Sequence, residues 1–147
     1  MPKFHFRLAT LLRLREDARD ERRVELADSQ RADAELEMQL SRLQAEQRQL
    51  QGECRKAAAP GSVDVSRLAE AQAYAATLRE REAGVQRKRQ TLAVEIERRR
   101  AALLEADRDV QTLEKLRDHQ SDAYRQEEDR REGKRLDEAA LQTTAGR

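Results

Sequence analysis

The sequence predicts an all-α protein: a long antiparallel two-helix coiled-coil hairpin in which helix 2 overhangs helix 1. Three observations carry this expectation. Ala, Glu, Lys, Leu and Arg supply 89 of the 147 residues, above the roughly 50% at which composition points to long helices. Proline occurs only at Pro2 and Pro60, so nothing that removes a helical donor interrupts the stretches on either side of residue 60. Apolar residues recur at alternating steps of three and four, the period of a coiled-coil seam. The chain is 40% charged, but 30 basic and 29 acidic residues cancel to +1, so net-charge repulsion gives no reason for disorder.

Helix 1 is expected over about residues 4 to 58. Its seam reads Leu36, Leu40, Leu43, Gln47, Leu50 and Cys54. Further back the same spacing meets Arg22, Arg19 and Arg15, so the N-terminal third is expected to change register or pack differently. The turn is placed at about residues 59 to 63, where Pro60-Gly61 ends one helix and Ser62 or Asp64 can cap the next. Helix 2 is expected over about residues 64 to 140, with a frayed tail at 141 to 147, the whole of 1 to 147 forming one coiled-coil domain. From Leu68 its seam runs through Leu78, Val85, Ile96, Val110 and Leu113 to Tyr124 and Glu127. It holds 12 apolar residues in 18 positions and admits Glu82, Arg89, Arg99, Arg117 and Gln120.

A seam must bury itself, and the short turn makes the other helix of the same chain the nearest partner. Residue i should then face about residue 122 minus i, which sets Leu8 near Glu114 and Leu36 near Gln86. Charge agrees: Arg87-Lys88-Arg89 and Arg98-Arg99-Arg100 fall beside Glu25, Asp28, Asp33, Glu35 and Glu37. The competing arrangement is an intermolecular coiled coil of extended chains. Helix 2 exceeds helix 1 by about 20 residues, so Leu116 to Ala140 is expected to lack a partner within the chain, and a partner protein is the economical cover for its apolar side.

Composition removes several functions. A single cysteine, Cys54, and two histidines, His5 and His119, form no cluster at metal-ligand spacing. No apolar run approaches the ~20 residues that span a bilayer, and the first residues lack a signal-peptide pattern. Carboxylate pairs such as Glu127 and Glu128 fall on convex solvated helix faces, without the concavity that shifts a pKa. The expectation is no enzyme, no cofactor and no small-molecule substrate. Arginine outnumbers lysine by 25 to 5, but each basic run is matched by acids and only four aromatics exist, so no nucleic-acid binding is expected.

The opening segment, Phe4, Phe6, Arg7, Leu8, Leu11, Leu12, Leu14, Arg15 and Glu16, resembles the start of the flagellar export protein FliJ family. The block TLEKLRD at 112 to 118, followed by Lys134, Leu136, Asp137, Glu138 and Ala139, is similar to that family's second signature. The resemblance implies a non-enzymatic component of the bacterial flagellar type III export apparatus. As implied partners it brings the hexameric export ATPase, the cytoplasmic domain of the large export-gate membrane protein, and export chaperones. The implied location is the cytoplasm, peripheral to the inner membrane at the flagellar base. Alternatives are an injectisome-type stalk, a nucleic-acid-binding coiled coil and a purely structural one. On this resemblance the open end of the hairpin, with Phe4, Phe6, Leu8 and Leu11 on helix 1 and Leu116, Tyr124, Arg131, Lys134 and Leu136 on helix 2, is expected to meet the ATPase ring. Tyr74 and Leu78, toward the turn, are the candidates for the export gate. Leu78 is also a seam position and Tyr74 only flanks the seam, so Tyr74 is the better of the two.

Overall fold

A computed structural model of the chain describes residues 3–61 and 63–146. They form two long helices packed against each other, α1 (Ala9–Ala57) and α2 (Val65–Ala145), with no strand among the described residues. The turn follows from local chemistry. Ala58 and Ala59 close the last turn of α1 by donating to the Cys54 and Lys56 carbonyls. Gly61 then takes φ of 115°, a conformation that disfavours side chains with a Cβ. Asp64 caps α2, its carboxylate accepting from the Arg67 backbone N–H at 3.2 Å. The alternative cap, Ser62, lies outside the described residues.

α1 begins at Ala9, five residues later than the periodicity predicts. Phe4 and Phe6 sit two apart. A helix would point them to opposite sides, whereas the non-helical segment 3–6 lets both pack inward. At the other end α2 runs on to Ala145, past the expected end near residue 140, since nothing between Gly133 and Ala145 breaks it.

The structure divides into two compact units. The first comprises residues 1–22 and 103–147, the second residues 23–102. In the first, Phe6, Leu12 and Val110 form a buried cluster, with Phe4, Leu8 and Leu113 packed on it. In the N-terminal third Leu12 and Arg19 stay inward at the same seven-residue spacing as Leu26, Asp33 and Leu40, while Arg15 and Arg22 are exposed and Glu16 and Ala18 turn inward, so one of the two seam positions is kept and the other is packed differently. Arg15 instead pairs with Asp109 at 3.8 Å. In the second unit Leu78, Val85 and Ile96 are the buried apolar residues and Ser29 the buried polar one.

Across the predicted α2 seam, every position except Gln120 and Glu127 is buried or half-buried. The polar ones in the second unit are matched across the helix pair. Arg89 holds Asp33 with two hydrogen bonds, at 2.9 and 3.2 Å, at the register predicted. Glu82 accepts from Gln47 at 2.6 Å and from Gln44 at 3.3 Å. Arg99 is gripped by Glu95 of its own helix and donates across to the Glu25 backbone carbonyl, which also accepts from the buried Ser29 hydroxyl. Two other arginines of the basic runs, Arg98 and Arg100, pair along α2 with Glu95 and Glu97 instead, and Arg31 on α1 pairs along its own helix with Asp28.

Candidate functional site

The candidate residues near the two chain ends all belong to the first unit. Phe6 is 7% exposed and central to the cluster there, and Leu8 packs beside it. Phe4 lays its ring 5.8 Å from that of Tyr124, tilted by 47°. These residues are engaged with α2 within the chain, so the stretch without an intrachain partner starts later than Leu116. Leu113, Arg117, Tyr124 and Glu128 are half-buried, and continuous exposure of α2 begins at residue 129. The displaced boundary follows from the segment 3–8, which is not helical and reaches further along α2 than a straight helix start would.

Beyond that point the helix is open. Leu136 and Leu141 are 65% and 68% exposed, against 37% for Leu11 and for Leu116. Arg131 is held along the helix by Glu127 at 3.4 Å and Glu128 at 3.3 Å, and Lys134 is exposed. This stretch presents isolated leucines among fixed charge. A helix of that composition gains little by burial in water and is stabilised when a partner covers it.

The second unit contains the other two candidates. Leu78 is fully buried and serves the seam, while Tyr74 is 45% exposed and donates its hydroxyl to the Glu46 carboxylate at 3.1 Å. From Tyr74 the sequence steps by seven to Arg81 and again to Lys88, which keeps the three on one side of α2. Arg81 and Lys88 flank a shallow groove of about 480 Å³ whose apolar residues are Leu43 and Val85 and whose other walls are Gln39, Arg42 and Gly84. Sequence reasoning took Lys88 only as part of a charge-matched run and did not single out Arg42 or Arg81. The seven-residue spacing of Arg81 and Lys88 from Tyr74 was the available signal, masked by the abundance of arginine everywhere, and Arg42, on the other helix, gave none.

The electrostatics of the second unit are set by the cross-helix contacts. The hydrogen bond from Arg89 holds the Asp33 carboxyl below the usual range and raises Arg89 in return. Glu82 is lowered by Gln47 and then Gln44, and Glu95 by Arg98 and then Arg99. Cys54 is half-buried and lines a hollow with Leu50, Ala71 and Ala75, as a small seam residue does. Among the described residues, no group of three or more His, Cys, Asp or Glu is placed to hold a metal ion, and no helix is long and apolar enough to cross a membrane.

A family model described as flagellar FliJ protein matches residues 4–147. No curated protein and no solved structure matches the chain.

Proposed function

The chain belongs to the FliJ family of flagellar proteins, and from that premise we propose that it is a stalk-like, non-enzymatic adaptor of type III export. In this reading it links the hexameric export ATPase to the export gate and to export chaperones, in the cytoplasm at the inner face of the membrane. The observation that carries the reading is the bare stretch of α2 from residue 129, which follows a segment packed by its own chain. Leu136 and Leu141 offer burial to a ring that surrounds them. Arg131 and Lys134 supply charge that orients approach and sets contact rate more than affinity.

The second unit serves the gate. Tyr74 is the aromatic anchor, amphipathic and already oriented by Glu46. Farther along the same side of α2, Arg81 and Lys88, with Arg42 of α1 in the same groove, favour an acidic segment of the gate's cytoplasmic domain. Leu78 contributes only by holding the helix in place, since no surface of it is exposed.

Co-elution tests the reading. The full chain mixed with the purified export ATPase should travel with the hexamer, and mixed with the cytoplasmic gate domain it should form a separate complex. Binding to generic duplex DNA or RNA with a steep salt dependence, and to neither protein, would replace the adaptor with a nucleic-acid-binding coiled coil.

A further inference from the structure

Residues 3–8 form the one described segment of the first unit that lies outside a helix yet contributes to its core. Phe6 is buried against Leu12 and Val110, Phe4 and Leu8 pack on the same cluster with Leu113, and the Phe4 ring meets that of Tyr124. Among the described residues, its backbone hydrogen bonds outside regular helix lie at its junction with α1. There Ala9 donates to the Phe6 carbonyl and Leu12 to that of Leu8. Side-chain burial and the Phe4–Tyr124 ring contact thus contribute to holding the segment on α2. The helix beneath it runs unbroken from Val65 to Ala145 and keeps its own backbone bonds whether or not it is covered.

We infer that residues 3–8 are a detachable strap. Closed, the strap covers the α2 face made by Val110, Leu113 and Tyr124. Lifted, it yields that face to an apolar segment of the export ATPase. The inference rests on the reading of the first unit given above. It commits to that partner because the same helix, a few residues past Tyr124, is the exposed stretch on which the ring is proposed to sit. A ring seated on Leu136 and advancing along α2 meets the strap at the Phe4–Tyr124 contact, and its own apolar groups can replace the two phenylalanines there. Ring binding and strap opening are then linked: whatever holds the strap down weakens the ring's hold by the same factor.

Two measurements on the full chain test this. The chain has two phenylalanines, both in the strap, so fluorophenylalanine labels that segment and nothing else. Fluorine relaxation dispersion in the free chain should show both rings exchanging between a closed and an open state. Its absence at both would overturn the strap. For the second measurement, Phe4→Cys and Tyr124→Cys are combined with Cys54→Ala, and the pair is tied by a short reducible thiol linker, with circular dichroism confirming helicity. The tied chain should bind the ATPase at least about tenfold more weakly than the same chain after reduction, about 1.4 kcal/mol. Equal affinities before and after reduction would overturn the proposal. If the wild-type chain does not bind the ATPase, the reading of the first unit fails instead, and the fluorine measurement alone decides whether the strap opens.

Discussion

At the residue scale, specificity of pairing resides in polar side chains placed where a seam ordinarily holds leucine. Arg89 and Asp33, and Glu82 with its two glutamines, leave no partner group satisfied if the helices slide by one step. An apolar seam tolerates such slippage more readily. Heptad arithmetic marks Glu82, Arg89 and Arg99 as seam positions but gives only their type. That Arg99 would bond a backbone carbonyl rather than a carboxylate depends on side-chain reach across the interface, which no spacing rule encodes. These contacts predict the acid behaviour. A carboxyl held below its usual range in the folded state, as Asp33, Glu82 and Glu95 are, binds fewer protons folded than unfolded. Its stabilisation is thus complete above the unfolded value and disappears as pH falls through the folded one. Urea midpoints followed by circular dichroism should be flat near neutrality and fall below about pH 4. Asp33→Asn should lower the midpoint at pH 7 and flatten the acid fall, and an unchanged acid slope in that variant would remove Asp33 from this account.

At the scale of the element, the helices were legible because their signals are long. Composition, two prolines and eighteen seam positions agree, and sixteen of those positions turn inward. The start of α1 was not legible, because Phe4 and Phe6 offer a two-residue period over a single step, too short to outweigh the helix-forming residues behind it. The extent of the open part of α2 shifted for the same reason. Substitutions should sort by burial. Leu78→Ala, at a fully buried seam position, should cost about 2–5 kcal/mol. Leu136→Ala, at 65% exposure, should change stability by less than about 0.5 kcal/mol. Equal losses in denaturant titrations of the two variants would mean that the seam is not where α1 and α2 are held together.

For the whole molecule, the family match over residues 4–147 and the hairpin agree with the two end signatures. The candidate site was only partly legible. Leu136 and Lys134 stood out because they belong to a signature and fall on the expected overhang of α2, where both are exposed, and Tyr74 because the resemblance offers it for the gate and it only flanks the seam. Phe4, Phe6 and Leu8 looked like surface for a partner, yet they cover their own chain, a role that depends on a change of backbone direction before Ala9. The central claim is a division of labour, in which the first unit serves the ATPase and the second serves the gate. One paired binding assay tests it most directly, with Leu136→Asp and Tyr74→Ala each measured against both partners and helicity verified. The account predicts that Leu136→Asp loses the ATPase by tenfold or more, about 1.4 kcal/mol, and retains the gate domain, while Tyr74→Ala does the reverse. Loss of both partners in either variant, with helicity intact, would contradict it.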